Sequence, residues 1–299
     1  AGNAVVSATI DGNAMTSTAT VAFVPGPAGG ITLLNATGLT ATVGTVVNAS
    51  GTLKVMVVDA NGNARANEQV TLAVASGGGS LTGAPVTVTT GSDGTAVVPN
   101  WTLGTTAGSN TVLATLVSNT SIKATISATG TAGVATAVSV TYTGGTSALS
   151  TRDMTAGTGT QLRVTMLDQY GNVSTGWTGT LTLSSTAYAG TITATITSGG
   201  LVDAVAMTPT NAGTGRAITV TAVGSGGSPS FATPLTGASG FTVLPGALNS
   251  FAITQSGGTT ALASPVNVGS AFQVRLTALD AYGNVKTCLL YTSPSPRDA

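Results

Sequence analysis

A phrase of eleven residues occurs three times in this chain: LKVMVVDANGN at 53–63, LRVTMLDQYGN at 162–172 and VRLTALDAYGN at 274–284. Its aspartates, Asp59, Asp168 and Asp280, stand 109 and 112 residues apart. Solenoid repeats run to ~20–50 residues, whereas a period of roughly 100 is long enough for each copy to be a domain with its own core. Six, four and two residues before each aspartate the side chain is apolar: Leu53, Val55 and Val57, then Leu162, Val164 and Met166, then Val274, Leu276 and Ala278. Five before it the residue is basic: Lys54, Arg163 or Arg275. Alternation of this kind predicts a strand with one face buried and the other in water, as in an antiparallel sheet. Asp-x-x-Gly-Asn then ends the strand, because the carboxylate accepts from N–H groups just ahead and glycine takes positive φ at little cost. EQVTLAVAS and GTLTLSS supply the next strand in the first two copies.

Composition agrees with strands and narrows the chemistry. The chain is rich in Thr, Val, Ala and Gly, a β-favouring mixture. Charged residues make up 6%, nine basic against nine acidic, so no long-range field attracts nucleic acid or an anionic membrane, and neither is expected as a partner. No apolar run approaches the ~18 residues of a membrane span. Histidine is absent, which removes the usual general base, the commonest metal ligand and every Ser-His or Cys-His nucleophile. With Glu68 the only glutamate and the aspartates scattered, the chain is read as non-enzymatic and without a cofactor.

Three linkers separate the repeats: FVPGPAGG, TGTAGVATA and FTVLPGALN, around residues 23–30, 129–137 and 241–249. Their glycines Gly26, Gly133 and Gly246 lie 107 and 113 residues apart. Joints this short, two of them containing proline, are expected to set the domains end to end. NAVVSATIDGNAMTSTATVAFVPG at the start matches NTVLATLVSNTSIKATISATGTAG from the next unit. The expected fold is therefore all-β, in tandem antiparallel sandwiches of the immunoglobulin type. Residues 1–26 are read as the last hairpin of a truncated domain, 27–134 and 135–246 as whole domains, and 247–287 as the opening part of another. The tail CLLYTSPSPRDA, 288–299, holds Cys288, matches nothing upstream and reads as translated sequencing adapter.

VMVVDANGNARANEQVTLAVASGGGSLT, followed by TGSDGTAVVPNWTLGTTAGSNTVLAT, resembles the bacterial immunoglobulin-like repeats of the intimin/invasin type. LDQYGNVSTGWTGTLTLSS and ALDAYGNVK are similar to a related class with a D-x-Y-G-N strand end. The resemblance covers nearly everything up to residue 287. It implies Ig-like sandwiches at a bacterial surface or outside the cell, serving as a non-catalytic stalk that presents a terminal domain. The partners it implies are the neighbouring repeats, with a host surface or glycan outside the chain. Two alternatives stay open: a module binding carbohydrate or a host protein through loops, and an accessory region of a secreted polysaccharide-degrading enzyme.

Few residues qualify as sites. Asp59, Asp168 and Asp280 are where calcium at a domain junction would bind, but a hard cation wants clustered oxygens and each turn offers one carboxylate. A strand-ending turn without metal is the expectation. Trp101, Trp177, Tyr142, Tyr170, Tyr188 and Tyr282 are candidates for stacking on a sugar ring, with packing as the expected role of most. Tyr170 and Tyr282, in the turn itself, are the ones expected at the surface, set against a neighbouring loop. Some surface-stalk domains cross-link a buried lysine to an asparagine beside a carboxylate. Lys54, Lys123 and Lys286 are the lysines present, and Lys54 falls on the wettable face. Asn35, Asn48, Asn119 and Asn172 head Asn-x-Ser/Thr triplets of the kind a Ser/Thr-rich chain produces by chance, and GGGS at 77–80 reads as a loop.

Overall fold

The computed structural model describes every residue except 1, 84, 85, 146, 258, 259, 262–268, 270, 272 and 288–299, so the adapter-like tail lies outside the described residues. The three phrases form the strands Lys54–Asp59, Thr160–Leu167 and Val274–Asp280. Two compact units contain them, Ala1–Gly133 and Val134–Ala299. Among the described residues one short 3-10 turn, Leu149–Thr151, interrupts the strands and there is no α-helix.

In the first unit Lys54–Asp59 is the middle of a three-stranded sheet, flanked by Ala28–Leu34 and Thr95–Val97, both antiparallel to it. The facing sheet has five strands in the order Val86–Thr89, Gln69–Ser76, Gly108–Leu116, Lys123–Thr131 and Thr40–Thr42. All neighbours are antiparallel except the last, since Thr40–Thr42 runs parallel to Thr129–Thr131. The second unit repeats this order. Its three-stranded sheet is Ala137–Tyr142, Thr160–Leu167 and Leu201–Met207. Its five-stranded sheet is Tyr188–Ile196, Gly179–Ser185, Gly213–Gly224, Phe231–Leu244 and Met154–Thr155, again with the last pair parallel. Three strands facing five, with successive strands crossing between sheets, make each an Ig-like sandwich.

Alternation dictates the cores. Leu53, Val55 and Val57 point between the sheets of the first sandwich and Leu162, Val164 and Met166 between those of the second, all buried. Trp101 and Trp177 are the largest fully buried side chains of their cores. The joints are shorter than the sequence suggested. Pairing carries the outgoing strands to Thr131 and Leu244, leaving 132–136 and 245–247 between strands.

Beyond the sandwiches the first unit has an antiparallel pair of strands, Gly2–Val6 with Ala19–Phe23, exposed except at half-buried Ala4. In the second unit Leu248–Gln255 pairs antiparallel with Val274–Asp280, as Ala28–Leu34 does with Lys54–Asp59. Val274 and Leu276 are 51% and 60% exposed, although their counterparts are buried. A period-two pattern states which face is apolar, and a second sheet is needed to cover it. Met166→Ala is therefore expected to cost about 2–5 kcal/mol, while Leu276→Ala stays within about 0.5 kcal/mol. Urea denaturation of the two variants side by side checks this, and equal losses would contradict it.

Candidate functional site: an aspartate clamp on the linker glycine

Asp59 is the last residue of its strand and is buried. Its Oδ1 accepts from the backbone N–H groups of Asn61 and Asn63, both at 2.9 Å. The Asn63 amide donates to both carboxylate oxygens, at 3.2 and 3.0 Å. Gly62, at φ +81°, lets the chain turn tightly enough for these contacts to converge. So far this is the strand-ending turn that the sequence predicts.

The remaining contact was not legible. Oδ2 of Asp59 also accepts from the backbone N–H of Gly26, at 2.9 Å, from the linker ahead of the sandwich. The carbonyl of that same glycine accepts from the guanidinium of Arg65, which pairs in turn with Glu68 Oε1 at 2.6 Å. Glu68 is nearly buried and its other oxygen accepts from Ser118 at 3.2 Å. Both polar groups of one linker glycine are thus held, the donor by the turn carboxylate and the acceptor by a cation six residues further on. The other unit builds the same arrangement. Asp280 accepts from Tyr282 N–H at 2.8 Å, Asn284 N–H at 2.9 Å and the Asn284 amide at 2.8 Å. It also accepts from Gly246 N–H at 2.8 Å, while Lys286 Nζ donates to the Gly246 carbonyl at 2.9 Å. Asp168 organises its own turn in the same way, through Tyr170 N–H at 2.8 Å, Asn172 N–H at 2.9 Å and the Asn172 amide.

These contacts set the electrostatics. The Asn63 amide, followed by the backbone donors, holds the Asp59 carboxyl well below the usual carboxylate range. Burial pushes Asp280 up, but the Asn284 amide and the N–H groups of Gly246, Asn284 and Tyr282 together outweigh it and the net shift is downward. Such a carboxylate is ionised at any ordinary pH and faces N–H donors rather than further oxygens. Among the described residues no group of three or more His, Cys, Asp or Glu is placed to hold a metal ion, and no helix is long and apolar enough to cross a membrane.

The other singled-out residues are dispersed. Trp101, Trp177 and Tyr142 are core residues; the Tyr142 hydroxyl donates to the Arg152 carbonyl at 3.1 Å and the Arg152 guanidinium lies 3.9 Å from the ring centroid. Tyr188 is half-buried, and Tyr170 and Tyr282 are 45% and 48% exposed. Lys54 is half-buried and Lys123 exposed, so no lysine lies in a core. Asn48 is buried, donating to Val98 O at 2.7 Å and accepting from Leu53 N–H at 3.2 Å, while the amide of Asn172 is taken up by Asp168. Asn35 donates to Thr52 O at 2.9 Å and Asn119 accepts from Ser121 N–H at 3.1 Å. Of GGGS, Gly79 and Ser80 are already strand, paired with Leu103 and Thr102.

No protein-family model matches the chain, and no curated protein matches its sequence. Among solved structures it is similar to the Escherichia coli adhesin FdeC, at 19% identity over 81% of this chain and 74% of that one, with a TM-score of 0.43. It is similar to invasin, a bacterial integrin-binding protein, at 17% identity over 86% of this chain and 47% of that one, TM-score 0.32. The Yersinia pseudotuberculosis adhesin InvE follows at 16% identity over 76% and 65%, TM-score 0.32. The chain spans less than two thirds of the invasin and InvE chains.

Proposed function

We propose that this chain is a non-catalytic spacer, or stalk, of a large bacterial surface or extracellular protein of the adhesin type, presenting a domain that lies elsewhere in that protein. Its working units are residues 27–134 and 135–246, with 1–26 and 247–287 belonging to the flanking repeats, and its immediate partners are those repeats. The observation that carries the reading is the clamp: in each unit a buried aspartate and a cation hold the donor and acceptor of one linker glycine, Gly26 or Gly246. Conformational freedom at a joint is what a spacer must suppress, and fixing a residue's backbone withdraws roughly 1–2 kcal/mol of entropy that other contacts must offset. In this reading the turn aspartates organise backbone rather than a cation.

Two measurements on the 299-residue chain test the proposal. Single-molecule extension is expected to give separate high-force unfolding events for the two sandwiches, and glycan arrays and host-protein pull-downs are expected to stay negative. Saturable binding of one glycan or one host protein, abolished by substitutions in loops at one end of a sandwich, would replace the spacer with a ligand-binding module.

A further inference from the structure

The D-x-Y-G-N turn at 280–284 does more than hold its own linker. The Asn284 amide donates to the Thr210 carbonyl at 2.7 Å, and its Oδ1 accepts from Ala212 N–H at 2.8 Å, both on a loop of the preceding sandwich. The other hydrogen of that amide goes to Asp280 Oδ2 at 2.8 Å, so both its donors and one of its two acceptor positions are used. Beside it the Tyr282 ring lies over Gly157, where a Cβ would stand 2.8 Å from Tyr282 Cε2. Gly157 has φ +84° and donates to Pro209 O at 2.8 Å, which ties it to the loop that Asn284 grips. Gly246 is tight as well, since a Cβ there would come within 2.7 Å of Ala156 O.

We infer that the loop end of the second sandwich, formed by Gly157, the Thr210 carbonyl and Ala212 N–H, is a socket for a Tyr-Gly-Asn turn, and that the partner it fits is the D-x-Y-G-N turn of a following repeat. The chemistry is selective at each point. A carboxylate in place of Asn284 cannot donate to Thr210, and any side chain at Gly157 meets the ring. Loop residues recur at the matching places of the first sandwich, with Gly44 at φ +72° after its parallel strand and Gly108 at φ +131° following Ala107. The D-A-N-G-N turn of the first unit has Asn61 where the others carry tyrosine, so turns of two kinds exist in one chain. The socket thereby supplies a rule for which repeat follows which, and its biological meaning rests on the spacer reading above.

Amide hydrogen exchange on the full chain decides it, independently of the pulling and binding experiments. In Asn284→Ala the Ala212 amide is expected to exchange roughly five- to tenfold faster, the effect of losing one ordinary hydrogen bond, while Val220 in the same sandwich keeps its rate. An unchanged Ala212 overturns the socket. Should Val220 accelerate too, Tyr282→Ala decides, because it removes the ring over Gly157 and leaves the contacts of Asp280 and Asn284 in place: faster exchange at Gly157 with Val220 steady upholds the socket, and any other pattern overturns it.

Discussion

Replacing Trp101 with alanine is expected to destabilise the first sandwich by about 3–5 kcal/mol, the range for emptying the site of a large buried aromatic. Trp101 is fully buried, and its strand, Trp101–Leu103, pairs with Gly79–Leu81 while its carbonyl accepts from Val47 N–H at 2.8 Å. Trp101 belongs to a core cluster drawn from both sheets, and surrounding strands relax only partly into such a space. Among the described residues its indole Nε1 has no hydrogen-bond partner, so the side chain contributes packing rather than a polar link. Trp101→Phe should therefore retain most of the stability. Trp177 differs, because its Nε1 donates to Pro229 O at 2.9 Å and Trp177→Phe loses that bond, worth about 1 kcal/mol. Urea titrations followed by circular dichroism resolve the series. A Trp101→Ala variant that unfolds with the parent would show that the first core is built elsewhere.

The second large effect is expected from Asp59→Ala. One substitution takes the acceptor from Gly26 N–H, Asn61 N–H, Asn63 N–H and the Asn63 amide, and leaves Arg65 holding the Gly26 carbonyl without its companion contact. Exchange of the Gly26, Asn61 and Asn63 amides should accelerate by about an order of magnitude or more, and the thermal midpoint of the first unit should fall. The substitution also alters the acid response. Asp59's folded pKa lies below its unfolded value of about 3.9. Its contribution is accordingly complete above that value and is lost as pH falls toward the folded pKa. Melting between about pH 2 and 6 should show the parent losing stability on the acid side more steeply than Asp59→Ala. Parallel curves would mean that the carboxylate is not linked to folding.

Much of the fold was legible because its signals are local. Period-two alternation through Leu53–Val57 and Leu162–Met166 names the buried face, and Asp-x-x-Gly-Asn names the turn that ends it, without reference to distant residues. The clamp was not, because its two halves lie 33 residues apart at Gly26 and Asp59 and 34 apart at Gly246 and Asp280. A faint trace exists in the near-equal spacings of the linker glycines and the aspartates. The cation partners, Arg65 and Lys286, stand six residues beyond their aspartates, but Ser174 holds that place in the middle copy, so the pattern gives no three-fold repeat to notice. Glu68 had no distinguishing context in the sequence; its role follows from Arg65, which is placed only once the linker is in position. The third copy marks the opposite limit, since Val274 and Leu276 carry the core pattern and are exposed.

The parallel pairing at the margin of each five-stranded sheet has a mechanical meaning. Thr40–Thr42 sits near the beginning of its sandwich and Thr129–Thr131 at the end, side by side and pointing the same way. Tension on the two ends of the domain draws these neighbours past one another lengthwise, so their bonds bear the load together instead of opening in sequence as in a peeled hairpin. In the first sandwich that load falls on Thr129 N–H to Leu39 O and Val43 N–H to Thr131 O, both 2.9 Å, with the Thr131 hydroxyl on Ala41 O at 3.3 Å. The second sandwich has two paired residues there, Met154 and Thr155, and the bond from Ala156 N–H to Leu244 O. The short parallel strand at the margin of each domain thus bears the tension, three residues long in the first sandwich and two in the second.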